Sequence, residues 1–227
     1  MLLAIAFATQ SASGLLLYNG RYNERHDFVS VELVRAGAGR AGGAGVRLAF
    51  SLGGAPAHVS VGGHFADGNW HSVEIHYLNR TATLIVDECD KALALGGAAE
   101  VGLQYACANV TTKELPPRCD MPTETCHRFL DLTGPLQIGG LPNIPSSFQV
   151  QNKDFVGCIS DLYIDEKFVD LNSFVADNGT LAGCPQKRSH CSSAPCFNGA
   201  QCRDLWDTYI CDCVEGFTGK DCSESKC

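Results

Sequence analysis

Thirteen cysteines are the most reactive residues of this 227-residue chain, and they admit two chemistries. They could ligate zinc as thiolates, or pair as disulfides. Zinc sites place Cys-x2-4-Cys pairs beside further Cys or His ligands. Here Cys191-x4-Cys196 and Cys211-x-Cys213 belong to one longer run, Cys191-x4-Cys196-x5-Cys202-x8-Cys211-x-Cys213-x8-Cys222, which zinc does not explain. So many cysteines do not stay reduced and idle in a cytosol, so the run reads as disulfides formed in an oxidising compartment. The count is odd, which leaves one cysteine without a partner in the chain, and Cys227, just past Cys222, is the one expected to be unpaired.

Seven histidines and 25 acidic residues could in principle build an acid–base centre. No Gly-x-Ser-x-Gly, His-Glu-x-x-His or phosphate loop accompanies them. His71 follows Trp70 on a strand pattern, where a packed or hydrogen-bonded imidazole is expected in place of a base. Gly37-Ala38-Gly39-Arg40-Ala41-Gly42 matches the dinucleotide fingerprint formally. That fingerprint needs a helix opening at the glycines to meet the pyrophosphate, and Val46-Arg47-Leu48-Ala49-Phe50 reads as a strand. Three Asn-x-Thr sequons, at Asn79, Asn109 and Asn178, fit an exported chain.

The elements that would carry these residues are short strands. Phe28–Leu33, Val46–Phe50 and Val73–Tyr77 alternate apolar and polar residues, and 83–86, 136–138 and 158–164 continue the series. Turn residues separate them at Asn19-Gly20, Gly53-Gly54, Gly62-Gly63, Asp67-Gly68-Asn69 and Gly139-Gly140. This spacing predicts an all-β antiparallel sandwich, with residues 36–45 as an Ala/Gly hairpin loop and 107–128 as a long surface insertion pinned by Cys107, Cys119 and Cys126. No run of 18 apolar residues is present. Met1–Ala8 lacks the basic lead of a signal peptide and reads as a strand. A net charge of -8 argues against nucleic acid, whose phosphates demand clustered Lys and Arg.

The cysteine run from Cys191 to Cys222, with Gly216-Phe217-Thr218-Gly219 before its last member, resembles an EGF-like domain. The resemblance implies the pairs Cys191–Cys202, Cys196–Cys211 and Cys213–Cys222. Upstream, Gly14-Leu15-Leu16-Leu17-Tyr18, Asp67-Gly68-Asn69-Trp70-His71-Ser72-Val73, Leu84-Ile85-Val86-Asp87, Leu136-Gln137-Ile138-Gly139-Gly140 and Phe155-Val156-Gly157-Cys158 resemble a laminin-G-like domain of the jelly-roll type. That likeness covers about residues 7–184, with the first one or two strands of a full domain expected to be missing, and it implies a Cys158–Cys184 bridge. The domain reading is therefore 1–184 laminin-G-like, 185–190 linker, 191–222 EGF-like and 223–227 the start of a next module. Cys89 and Cys107 are paired because one ends a strand and the other opens the insertion, and Cys119 with Cys126 closes a small loop. The other two connectivities of these four cysteines stay open.

Finer blocks resemble the seven-pass, Flamingo-type cadherins: residues 18–28 (YNGRYNERHDF), 130–135 (LDLTGP) and 178–184 (NGTLAGC). This implies a non-catalytic interaction module in the extracellular part of a plasma-membrane adhesion receptor, acting in cell–cell adhesion and planar cell polarity. Its partners would be other extracellular domains, a second copy of the receptor included, with the membrane reached only through the parent. The alternatives are a segment of a secreted matrix or guidance protein of the laminin, agrin or slit type, and a glycan-binding sandwich.

The resemblances also imply sites. Cys191-Ser192-Ser193-Ala194-Pro195-Cys196 fits the O-glucose pattern at Ser193, and Cys202-Arg203-Asp204 with Tyr209-Ile210-Cys211 fits β-hydroxylation at Asp204. Gln201 stands where O-fucose needs a hydroxyl, and Lys187-Arg188-Ser189-His190 replaces the acidic lead of calcium-binding members. Many laminin-G-like domains hold calcium at the sandwich rim. Ala55 aligns with one ligand and Asp131 with the other, so no tightly bound calcium and no cofactor is expected.

Overall fold

The structure, a computed structural model, describes residues 1–20, 27–35, 43–89, 107–115, 119, 126–142, 150, 152–173, 176–177, 179–184, 190–204 and 208–226. The chain divides into two compact units, Met1–Val175 and Ala176–Cys227, a division ahead of the boundary at 184 read from the sequence.

Along the first unit run strands β1 (Leu2–Ala8), β2 (Gly14–Gly20), β3 (Phe28–Arg35), β4 (Ala44–Ser51), β5 (Ala57–Gly63), β6 (Trp70–Leu78), β7 (Thr81–Val86), β8 (Ala108–Thr112), β9 (Leu136–Ile138), β10 (Cys158–Ile164) and β11 (Lys167–Phe168). They form a six-stranded sheet, β11-β10-β1-β6-β7-β8, and a five-stranded sheet, β5-β4-β3-β2-β9. Neighbouring strands pair antiparallel, as the hairpin-rich sequence requires. Leu3, Ile5 and Phe7 of β1, Val73 and Ile75 of β6, and Leu84 and Val86 of β7 share one buried cluster with Val31, Leu48 and Phe50 of the facing sheet. Each such side chain contributes ~1.5–3 kcal/mol by leaving water.

The inner strands β2, β3 and β4 of the five-stranded sheet are buried on both faces. Leu15, Tyr18, Phe28 and Ala49 form a second apolar cluster with Leu141 and Val150 on its outer side. That is why Gly14-Leu15-Leu16-Leu17-Tyr18 is continuously apolar where a one-sided strand would alternate. On the same outer side, buried Glu32 accepts a 3.2 Å bond from Arg47 and another, of 2.9 Å, from the Asn152 side chain.

Three readings need correcting. Gly62-Gly63, read as a turn, lie in β5, with Gly62 paired to Gly45. Ala44 and Gly45, placed in the Ala/Gly loop, open β4, and residues 36–42 of that loop lie outside the described residues. Residues 108–112, placed in the surface insertion, are the edge strand β8, paired with β7 and carrying a buried Ala108. Asn-Val-Thr-Thr is β-branched enough to pair but too polar to show an apolar alternation.

Tight turns set the register. Asn79 and Arg80 link β6 to β7 with φ of 46° and 67°, the left-handed pair that a two-residue hairpin needs. Gly157 has φ 156°, and a Cβ there would stand 2.3 Å from the Ala8 carbonyl, so only glycine lets β10 close on β1.

Among the described residues of the second unit only Cys211 and Cys222 are buried. A 3₁₀ turn at His190–Ser193 precedes the hairpin β12 (Gln201–Asp204) and β13 (Tyr209–Asp212), then the small pair β14 (Phe217–Thr218) and β15 (Glu224–Ser225). Disulfides Cys191–Cys202, Cys196–Cys211 and Cys213–Cys222 hold it. Each contributes ~2–4 kcal/mol, chiefly by restricting the unfolded chain.

Candidate functional site

The rim where β3 begins and β4 ends holds a buried carboxylate with a donor on each oxygen. Asp27 is 3% exposed. Its Oδ1 accepts a 2.7 Å bond from Nδ1 of His127, and its Oδ2 accepts one of 2.7 Å from the backbone N–H of Asp131. The backbone N–H of His127 donates in turn to the Leu52 carbonyl at 2.6 Å. Residues 127–131 are thereby strapped across the rim, while Leu130 and Leu132 pack against the main core. Sequence reasoning missed Asp27, since its partners lie 100 and 104 residues away.

This rim also carries Ala55 and Asp131, the positions that align with calcium ligands in the resemblance. A hard cation takes ~6–8 oxygen ligands with carboxylates among them. Ala55 is exposed and offers no side-chain oxygen, and Asp131 is exposed with its amide committed to Asp27. The buried Asp27 carboxylate already faces two N–H donors. Among the described residues no three His, Cys, Asp or Glu side chains are grouped to hold a metal. These residues do not fit a calcium site.

A second constellation lies on β6. Asp67 closes its own turn by accepting from the Asn69 backbone and side-chain amides, both at 2.7 Å. Nε2 of His71 meets Oδ1 of Asp67 at 3.1 Å, and Nδ1 meets Oδ2 of Asp87 at 2.8 Å. The other Asp87 oxygen accepts the Ser72 amide at 3.0 Å. The imidazole packs against Phe7 and Phe65, with ring centroids 5.7 Å and 5.2 Å away. Both ring nitrogens face carboxylate oxygens, so both must donate, which only the imidazolium can do. Burial pulls this pKa down, but the bonds to Asp87 and Asp67 outweigh it and raise it above the ordinary histidine value. Burial likewise pushes Asp67 up, and the Asn69 and His71 bonds outweigh it and bring it down. A histidine with both nitrogens occupied has no lone pair for a substrate proton. It fastens the turn before β6 to the end of β7.

The cysteines and modification sites fall as follows. Cys89 is bonded to Cys107 and Cys119 to Cys126. Cys158 and Cys184 are both disulfide-bonded. Ser193 is exposed, its hydroxyl donating 2.9 Å to the His190 carbonyl, and Asp204 accepts from the Cys191 amide at 2.9 Å. Asn79 is exposed on the β6–β7 turn and Asn109 lies half-buried in β8. Asn178 and Cys227 lie outside the described residues.

With the geometry described, comparison places the chain among known proteins. The laminin G domain family matches residues 7–167, and the EGF-like domain family matches residues 191–221. The chain is 56% identical over 225 residues to the protocadherin-like wing polarity protein stan of Drosophila melanogaster, an alignment covering 98% of the chain and 6% of that protein. It is 44% identical over 238 residues to the cadherin EGF LAG seven-pass G-type receptor 3 of Homo sapiens, covering 97% of the chain and 7% of the receptor. Among solved structures, domains LG4-5 of the mouse laminin alpha1 chain match with a TM-score of 0.52 at 20% identity, over 78% of this chain and 38% of that one. That likeness shows the sandwich fold.

Proposed function

Since the chain belongs to the laminin G domain family and its relatives are seven-pass cadherins that continue into an EGF-like domain, we propose that it is a non-catalytic interaction module of an adhesion receptor acting in cell–cell adhesion and planar cell polarity. The observation that carries this is the 56% identity, running through both domains, with a relative whose name states wing polarity. The disulfides support an extracellular, oxidising setting. The capped state of His71 and the two donors on Asp27 support a bracing role for the residues best suited to acid–base chemistry.

In this reading the laminin-G-like domain runs to 184 and residues 185–190 link it to an EGF-like domain that opens at 191 and, beyond the end at 222 read from the sequence, takes in the strand Glu224–Ser225 paired with Phe217–Thr218. Cys158 bridges to Cys184. Ser193 carries O-linked glucose and Asp204 is β-hydroxylated. The module works without a tightly bound calcium of its own, and its partners are other extracellular domains. The test is to replace this segment in the parent receptor by an unrelated pair of extracellular domains and follow the receptor in an epithelium. Receptor that reaches the surface but no longer concentrates at cell contacts supports the proposal. Unchanged concentration and unchanged polarity reject it.

A further inference from the structure

Asn79-Arg80-Thr81 and Asn109-Val110-Thr111 are equally good acceptors by sequence, and the fold gives their amides different surroundings. Asn79 is an exposed residue of the β6–β7 turn, in the left-handed conformation, and no hydrogen bond among the described residues reaches its side chain. The β-strand hydroxyls behind it are occupied with each other, Thr81 bonding Thr112 at 2.9 Å. A sugar on this turn leaves directly into water. Asn109 sits in β8, the edge of the six-stranded sheet, opposite Leu84, whose side chain is fully buried in the core. Its Nδ2 donates 3.1 Å across the seam to the carbonyl of Ser60 in β5, the edge of the other sheet. Its Oδ1 accepts the Val110 amide at 2.8 Å, which fixes the amide plane. This side chain clasps the two sheets along the side where both end.

We propose that, of these two sequons, Asn79 carries the N-linked sugar, and that Asn109 is bare in the secreted protein because its amide serves as the clasp between β8 and β5. The inference rests on the extracellular reading above, since only a chain entering the secretory pathway meets the transfer machinery. In the transfer, the asparagine nitrogen forms a bond to the anomeric carbon of an oligosaccharide. The bond from that carbon to its polyprenyl pyrophosphate carrier breaks, the amide loses one proton and the lipid pyrophosphate departs. The reaction meets the chain before folding is complete, so both sequons can react. What the fold decides is which product is exported. A sugar on Nδ2 of Asn109 displaces the Ser60 contact, which is made at the surface where the two sheet edges meet.

The test uses the whole chain, secreted from animal cells. Secreted and retained fractions are deglycosylated by an amidase in heavy-oxygen water and mapped by mass spectrometry. Asn79 occupied and Asn109 bare in the secreted fraction, with any occupied Asn109 confined to the retained fraction, is the expected result. Asn109 occupied to the same extent as Asn79 in secreted material, or Asn79 bare beside an occupied Asn109, overturns the proposal. A chain without sugar at any sequon overturns the extracellular reading on which it rests. Two variants separate clasp from sequon. Thr111→Ala removes the sequon but keeps the clasp, so it should leave the glycan mass of the secreted chain unchanged and its secretion undiminished. Asn109→Ala removes both and should lower secretion. Equal secretion of the two variants, or loss of a glycan mass in Thr111→Ala, counts against the clasp. Asn79→Asp, which still suits a left-handed turn, should lose one glycan mass and remain secreted.

Discussion

Replacing His71 by alanine removes both bonds of the clamp and the ring between Phe7 and Phe65. A fully buried hydrogen bond to a charged group is worth ~1.5–3 kcal/mol. The acceptors here are 40% and 45% exposed, so solvent screening reduces each bond to ~1 kcal/mol. The imidazole is only 12% exposed, and losing its packing against two rings costs a further ~1–2 kcal/mol. The expected loss is ~3–4 kcal/mol, a large part of the ~5–15 kcal/mol that holds a domain folded. Its pH dependence has a definite sign. The folded pKa of His71 is raised above the ordinary 6.5, so its contribution is complete below that value and fades as pH climbs through the folded pKa. The folded pKa of Asp67 is lowered from 3.8, so its contribution is complete above that value and fades as pH falls through the folded pKa. The clamp is strongest between the two. Urea unfolding with the disulfides intact, followed by circular dichroism at about pH 6 and about pH 9, measures this. The difference between native protein and His71→Ala should shrink at the higher pH. An equal difference at both, or a loss below ~0.5 kcal/mol, refutes the clamp.

Asp27→Ala leaves the His127 ring and the Asp131 amide without their acceptor and should destabilise the sandwich by ~2–3 kcal/mol in the same unfolding assay. Gly157→Ala sets a Cβ against the Ala8 carbonyl at 2.3 Å, and secretion of that variant should fall sharply in a pulse-chase measurement. Titration calorimetry with calcium should show no affinity at or below ~10 μM, and chelation should leave the melting temperature unchanged. Mass spectrometry of the Cys191–Cys196 peptide from secreted chain should show a hexose that is lost in Ser193→Ala.

The second unit was legible in the sequence because its information is local: six cysteines within a short stretch, with glycines before the last. Strands β3, β4 and β6 were legible because each has one apolar face, and periodicity reports that directly. Strand β5 was hidden by Gly62-Gly63, which reads as a turn but pairs in extended form with Gly45 and its neighbours. Strand β8 was hidden because an edge strand needs few apolar residues. The rim carboxylate and the Glu32–Arg47–Asn152 network were not legible, since they join residues up to 120 positions apart. Asp67, His71 and Asp87 were visible as motif members. That they meet depends on β6 and β7 lying side by side, with Val73 opposite Val86.

The role proposed for this chain, binding of another extracellular protein, can be tested directly. The chain, purified with its disulfides formed and multimerised on a fluorescent carrier, can be applied to living epithelium that displays the parent receptor. Staining of cell contacts, lost when the carrier bears chain whose disulfides have been reduced and alkylated, is the result predicted. Absence of staining from native, correctly disulfide-bonded chain would contradict the account.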